Sequence, residues 1–286
     1  MAKADTLHEK ARDVAAEAAL RAGRLIQQHA GRVDPGAVRD KGVHDLVSEV
    51  DEEAQRVIIE VLNNQFPGFE VLGEEGSSLH PANPVADGYR WIIDPIDGTT
   101  NFLHGVPPYA VSIGLQREQE VVAGVVLDVP RGELFTAVRG GGLFVNGARA
   151  HVSTTARLHD SLITTGFPYR ALEHLDPYLK VFGDFMGRTT GIRRPGSAAV
   201  DLAYVAMGRF DGFFETGLMP WDVAAGQLLV EEGGGRVSDY GDAPDPMFAG
   251  NLLASNGLIH AEMLEVLRPL HEFEIVRSGE NEGVGE

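Results

Sequence analysis

The chain has 286 residues, enough for one compact α/β protein or for two intimate halves. With 24 Lys and Arg against 42 Asp and Glu the formal charge is −18, and 43% apolar with 23% charged residues is the composition of a globular chain able to bury a core. That charge argues against a basic nucleic-acid surface and against attraction to an anionic membrane, while zero cysteine excludes disulfide scaffolds, Cys-ligated metal sites and thiolate nucleophiles. An acidic chain that handles an anionic substrate needs something other than its own side chains to neutralise it, and a metal cation is the simplest candidate.

The elements follow from periodicity. Leu7, Ala11, Val14, Ala18, Leu25 and Ile26 recur at helical spacing over residues 5–30, and Asp34-Pro35-Gly36 marks the loop after them. A second helix is predicted over 51–64, with Val57, Ile58, Val61 and Leu62 on one face and Phe66-Pro67-Gly68 as its stop; Ser48 and Asp51 match a capping box at its start. Ile92-Ile93 reads as a short buried strand, 109–116 and 121–129 as a strand pair, and 133–138 as a third strand before the Gly140-Gly141-Gly142 turn. From about residue 160 strands alternate with helices. The strands are 162–165, 210–214 and 252–255; the helices are 174–186, 197–207, 221–232 and 258–269. The pattern predicts an α+β half over 1–150 carrying most of the acidic motifs and an α/β half over 151–276, with the polar, Gly-rich 277–286 as a disordered tail. No segment reaches the run of about 18 apolar residues that a membrane span requires, and Met1–Lys10 lacks the apolar stretch of a signal peptide, so the expected location is the cytoplasm.

The most informative stretch is Trp91-Ile92-Ile93-Asp94-Pro95-Ile96-Asp97-Gly98-Thr99-Thr100-Asn101-Phe102. An apolar strand delivers Asp94, Pro95 is expected to turn the chain out of the sheet, and Asp97 follows. Two carboxylates at one strand end repel unless a cation or proton lies between them. The N–H groups of Gly98, Thr99 and Thr100, at the start of a helix, offer a nest for an anion. The alternative is a plain Asp97-Gly98 turn with the threonines capping a helix. Glu74-Glu75 after Val71-Leu72, Asp222 after Pro220-Trp221, and Asp51 add acids at other element ends. Each has an ordinary structural use alone; together they supply the carboxylates of a Mg²⁺ site.

Taken in order, Gly73-Glu74-Glu75, Asp94-Pro95-Ile96-Asp97-Gly98-Thr99-Thr100-Asn101-Phe102 and Trp221-Asp222-Val223-Ala224-Ala225-Gly226 resemble the signature motifs of the inositol monophosphatase family. The resemblance extends from Lys41 to about residue 260 and includes Lys41, Asp45-Leu46-Val47, Asp51 and Gly196-Ser197-Ala198-Ala199; Thr165-Gly166-Phe167-Pro168-Tyr169 and Gly208-Arg209-Phe210-Asp211-Gly212 are most similar to its bacterial branch. It implies a layered αβαβα sandwich and Mg²⁺-dependent hydrolysis of a phosphate monoester. By the same resemblance, Glu74, Asp94 and the carbonyl of Ile96 would hold one ion and Asp94, Asp97 and Asp222 a second, with Glu74 helping to hold a third through water. Asp51 and Thr99 would orient and deprotonate the attacking water, the Gly98 and Thr99 amides would hold the phosphate, and Asp97, Ala198, Glu215 and Asp222 would face the alcohol. Lys41 falls where the family has a lysine in a mobile loop, although the segment to Asp45 is one residue shorter than in animal members. The resemblance also implies inhibition by Li⁺ and a homodimer.

Rival chemistries lack their residues. The aspartyl-phosphate class needs Asp-x-Asp-x-Thr, whereas Asp94 and Asp97 stand one residue too far apart, and no Gly-x-x-x-x-Gly-Lys-Ser/Thr phosphate loop occurs. The core motif does not separate inositol monophosphate from fructose 1,6-bisphosphate, histidinol phosphate or a 3′-phosphoadenosine nucleotide, and an added regulatory protein-binding role is compatible with the acidic surface. His104 reads as a surface or supporting residue; Arg193-Arg194 reads as a solvated loop, with an anionic substrate or a partner subunit as its other use.

Overall fold

In a computed structural model the described residues are 6–31, 39–42, 45–47, 49–76, 88–169 and 172–282, with only the backbone course given within 39–47 and 272–282. The Asp34-Pro35-Gly36 turn, the Ser48 cap and the Lys41 side chain lie outside them.

Helix α1 (Thr6–His29) buries Ala11, Ala15, Ala18, Ala19, Ala22 and Ile26, small residues at helical spacing that allow close approach to α2 (Glu49–Gln65). Helix α2 buries Val50, Ala54, Ile58, Val61 and Leu62, and the same face carries Asp51 inward. Both lie on one face of a seven-stranded sheet in the order β3 (Glu70–Gly73), β4 (Tyr89–Asp97), β5 (Ala110–Arg117), β6 (Glu120–Asp128), β7 (Glu133–Val138), β8 (Gly142–Val145) and β9 (Ala148–Ala150). Strands β3 and β4 are parallel and the others antiparallel. A separate hairpin, β1 (Arg39–Gly42) and β2 (Asp45–Val47), precedes α2.

The second sheet runs β11 (Gly191–Arg193), β10 (Leu162–Thr165), β12 (Gly212–Thr216), β14 (Asn251–Ser255) and β13 (Arg236–Ser238). Its first three strands are parallel and its last two pairings antiparallel. Helices α5 (Ala198–Ala206) and α6 (Pro220–Glu232) fill the space between the sheets, so one core joins Ile92, Val126 and Phe135 of the first sheet to Phe213, Leu252 and Ala254 of the second. Helices α4 (Leu175–Arg188) and α7 (His260–Glu282) cover the outer face, where Phe214 and Leu253 point. The layers are therefore α1/α2, sheet, α5/α6, sheet, α4/α7: the expected αβαβα sandwich.

Helix α6 carries little side-chain amphipathicity because both its faces are buried, from Pro220 to Val230. It comes unusually near the first sheet at Gly114 and Gly124, which face each other across β5 and β6. A Cβ on Gly114 would lie 3.0 Å from Ala224 Cβ, and one on Gly124 would lie 3.0 Å from the Ala225 carbonyl oxygen.

Three expectations need correction. The strand at Ile92-Ile93 is nine residues long and does not end at Asp94: Asp94 pairs with Ser112 and Asp97 with Ala110, three steps against two. A bulge takes up the extra residue, and Pro95, with no N–H to give a ladder, is tolerated within it. The closing helix continues past Pro269 through Glu282 instead of stopping at 269, so the backbone of 277–282, expected as tail, is helical; 283–286 fall outside the described residues. One Pro removes a single helix hydrogen bond, and the Glu- and Arg-containing sequence beyond it still favours helix. Strands β8, β9, β11 and β13, each of three or four residues, were not legible as periodic runs.

Candidate active site

The β4 bulge sets the geometry. Because three residues span two partner steps, Asp94 and Asp97 are both brought toward one corner, where the start of α6 delivers Asp222. One carboxylate oxygen from each of the three lies within 4.8 Å of the others. Asp94 and Asp97 are buried, and their oxygens are already oriented: Asp94 Oδ1 accepts the Ile96 N–H at 3.0 Å, and Asp97 Oδ2 accepts the Ser197 hydroxyl at 2.5 Å and the Ala199 N–H at 2.7 Å. Asp222 Oδ2 accepts the Met219 N–H at 2.8 Å, as an acid in the first turn of a helix commonly does. Asp97 thus ties the end of a first-sheet strand to the first turn of α5, and Asp222 belongs to the other central helix.

Burial pushes the Asp94 carboxyl well above the usual carboxylate range, and Glu74, Asp97 and Asp222 add repulsion in that order. A corner of this kind demands a proton or a cation. Its donors are all hard oxygens, which fits a divalent ion such as Mg²⁺ and not a soft metal. Glu74 follows β3, with its N–H on the Ile93 carbonyl at 3.0 Å, and its side chain hydrogen-bonds Asp94. The turn is clamped from α2: Gln55 Nε2 donates to the Glu75 carbonyl at 2.7 Å and Gln55 Oε1 accepts the Glu75 N–H at 3.0 Å.

Asp51 is fully buried, and its Oδ1 lies 3.0 Å from the Thr99 hydroxyl, which is also 3.0 Å from the Ile96 carbonyl. A hydroxyl has one proton, so Thr99 can switch between these acceptors or take a proton from a neighbour and pass one to Asp51. Gly98 begins α3 (Thr99–Leu103) at φ +92°, a conformation that makes glycine the natural residue there, with the Gly196 carbonyl 3.1 Å from where a Cβ would be.

These residues line one cleft of about 530 Å³, together with Ala198, Glu215, Asp201 and Arg194. Glu74, Asp94, Ile96, Asp97, Gly98, Thr99, Ala198, Glu215 and Asp222 all line this cleft; Asp51 stands behind Thr99. Glu215 on β12 reaches toward Gly166: a Cβ there would fall 1.9 Å from the Glu215 carboxyl carbon.

Some contributors had no role in the sequence reading, Ser197 being named there only as part of a motif. Gln55 and Ser197 act through contacts 20 and 100 residues distant in the chain. Asp201 did carry a signal: it is the one acid in a helix otherwise apolar or aromatic, and such a helix must bury it. It is 1% exposed, and its Oδ1 has no partner among the described residues. Burial, then Glu215, raises its carboxyl well above the ordinary range, against the opposing hydrogen bond from Thr164. His104 is exposed, at the C-terminal end of α3, in keeping with a role outside ligation.

This corner of acids lies where the two sheets of the αβαβα sandwich meet. The profile of the inositol monophosphatase family matches residues 7–272, so the chain belongs to that family. It is 44% identical over 259 residues to a Pseudomonas aeruginosa protein named Nus factor SuhB, covering 90% of this chain and 95% of that one. It is 42% identical over 256 residues to an inositol-1-monophosphatase of Mesorhizobium japonicum, again over 90% and 95%. The crystal structure of the extragenic suppressor protein suhB from Bartonella henselae superposes with a TM-score of 0.83 at 42% identity, over 89% of this chain and 97% of that one.

Proposed function

We propose that the protein is a Mg²⁺-dependent phosphomonoesterase that hydrolyses inositol monophosphate, or a related small polyol phosphate, to the alcohol and phosphate. The observation that carries this reading is the convergence of Asp94, Asp97 and Asp222 within 4.8 Å, in the same cleft as Glu74 and next to the Asp51–Thr99 pair. Glu74, Asp94 and the Ile96 carbonyl would hold one ion, Asp94, Asp97 and Asp222 a second, and Glu74 would help with a third, for two to three in all. Bound there, the ions supply charge neutralisation for the phosphoryl oxygens and acidify water, without which phosphate-monoester hydrolysis is among the slowest of reactions.

The chain's own residues do the rest. Thr99 orients the attacking water and relays its proton to Asp51, whose carboxylate is held against it. The Gly98 and Thr99 amides face the phosphate. Ala198, the first residue of α5, sets the floor for the alcohol; Glu215 accepts its hydroxyl hydrogen bonds, with Asp97 and Asp222 at the ester end. Inhibition by Li⁺ and a cytoplasmic location belong to this reading; no described helix is long and apolar enough to cross a membrane. A homodimer is supported by exposed Leu172, Leu175, Leu179 and Met186 on and beside α4, a stripe that a second copy can cover.

Phosphate release from a panel of inositol 1-phosphate, fructose 1,6-bisphosphate, histidinol phosphate and 3′-phosphoadenosine nucleotide, with and without Mg²⁺, tests the reading. It is expected to show Mg²⁺-dependent turnover with the highest kcat/KM on a polyol phosphate; turnover indifferent to Mg²⁺ sinks it. A second, regulatory protein-binding role is suggested by the name of the Pseudomonas relative. Rescue of a cellular phenotype by Asp94→Asn would favour that role over hydrolysis.

A further inference from the structure

One side chain ties together the two segments that hold Asp97. Asn101, half-buried in α3, donates from Nδ2 to the Pro108 carbonyl and to the Pro195 carbonyl, both at 2.8 Å. Pro108 stands two residues before Ala110, the β5 partner of Asp97. Pro195 stands two residues before Ser197, whose hydroxyl donates to Asp97 Oδ2. One arm of the Asn101 amide therefore leads to the backbone of Asp97 and the other to its carboxylate. The helix that carries the amide is itself fastened, since the Val106 N–H donates to the Asn101 carbonyl at 2.9 Å.

The chemistry of this position is narrow. Both acceptors are carbonyl oxygens, so the amide nitrogen must face them and both of its protons are engaged. A carboxylate of the same shape has no proton to give and would repel both oxygens, while a serine or threonine hydroxyl has only one proton. The three segments also meet closely. A Cβ on Gly98 would lie 3.1 Å from the Gly196 carbonyl oxygen, 3.2 Å from the Pro108 carbonyl oxygen and 3.4 Å from Ser197 Cβ. A Cβ on Gly196 would lie 3.0 Å from Asn101 Nδ2. Pro108 belongs with the first sheet and Pro195 leads into α5, so the amide joins the two halves of the chain beside the acidic corner.

We propose that Asn101 is a positioning residue for Asp97: by holding the 195–197 segment against the first sheet it keeps Ser197 on the Asp97 carboxylate, and so sets the affinity of the corner for a divalent cation. A ligand whose free rotation is restrained by a partner meets its metal already oriented, and the restraint is only as firm as the segment that carries the partner. The inference rests on the metal-dependent reading of the site and adds a residue that acts through Ser197.

Mg²⁺ titrations of the whole chain, followed by calorimetry and by melting temperature, separate this role from a contribution to the fold alone. Asn101→Ala is expected to raise the Kd for Mg²⁺ about tenfold and Ser197→Ala by about 10- to 100-fold, the range that follows loss of a metal ligand's partner. In a Ser197→Ala background the Asn101 substitution should add at most about threefold, because its effect passes through the missing hydroxyl. Asn101→Ser, with one proton to donate in place of two, is the second variant where the alanine protein does not fold, and it should raise the Kd in the same direction. A Kd that neither substitution at Asn101 moves, with a melting temperature lowered equally in EDTA and in excess Mg²⁺, assigns Asn101 to the fold and overturns the inference. So does a loss of affinity that multiplies in full on top of Ser197→Ala, or the failure of both variants to fold. A wild type that binds no Mg²⁺ overturns the metal-dependent reading itself.

Discussion

Replacing Asp94 by Asn should make the metal-free protein more stable and the enzyme inactive. The magnitude comes from the corner itself. Two ionised carboxylates with oxygens no more than 4.8 Å apart repel by at least about 3.5 kcal/mol at an effective dielectric constant of about 20. Asp94 faces two such neighbours and also Glu74, and burial adds to the cost. Proton uptake relieves part of this in the metal-free protein, so a net gain of about 2–3 kcal/mol is the reasonable expectation for the neutral isostere. For a chain of this size that is a rise in Tm of roughly 4–6 °C. Mg²⁺ at about a hundred times its Kd should stabilise the wild type by ~2.7 kcal/mol and leave the variant almost unmoved, closing or reversing the gap. Phosphate release should fall by about 10²-fold or more, since loss of a ligand costs at least as much as loss of its supporting partner. The assay is a pair of thermal melts, in EDTA and in excess Mg²⁺, on both proteins. If the metal-free variant melts at or below the wild type, or if Mg²⁺ raises both by the same amount, the corner is not a strained cation site and the reasoning fails.

Four further outcomes are expected. Thr99→Ala should lower kcat by about 10²-fold or more with little change in KM, and Thr99→Ser should restore most of it, as measured in steady-state kinetics. Asp201, whose carboxyl is raised in the folded state, supports stability only while protonated; that support is present below the ordinary aspartate range and is lost as pH rises toward the shifted value. Asp201→Asn should therefore gain on the wild type from pH 4 to 7 by at most about 1.4 kcal/mol per pH unit, and a gap that does not change with pH in EDTA melts would contradict this. Gly124→Val must push against the Ala225 carbonyl and should cost about 1–3 kcal/mol, with a weaker Mg²⁺-induced shift because Asp222 moves with α6. Leu179→Glu with Met186→Glu should halve the mass seen by light scattering if the α4 stripe is the dimer contact.

The acids of the site were readable because they are local: Asp94, Asp97 and Thr99 share one hexapeptide, and Glu74 and Asp222 stand beside apolar runs that had to be elements. The corner's shape was not readable. Pro95 signals a break, and only the partner strand, with Ser112 and Ala110 as the opposing residues, turns that break into a bulge. Gln55, Ser197 and Asp201 matter through neighbours far away in the chain, and a sequence carries no distance between positions 97 and 197. The short edge strands β11 and β13 have too few residues to show a period. The layered fold was more legible, since helices such as α1 and α2 announce one buried face each; α6, buried on both faces from Pro220 to Val230, declared itself only by the mostly apolar run between Pro220 and Gly233.

That helix has a wider consequence. Because α6 rests on the backbone of β5 and β6 and is shared by both sheets, Asp222 is embedded in what should be the last part of the molecule to open, and its amide should exchange with solvent only when the whole fold unfolds. Tyr169 and Arg194 sit at the opposite extreme, exposed on the rim of the cleft, where substitution disturbs less packing. The buried acids and the exposed rim of the cleft thus lie in regions of very different tolerance to mutation. A lineage carrying this scaffold can vary a few rim residues while the buried acidic corner is inherited intact.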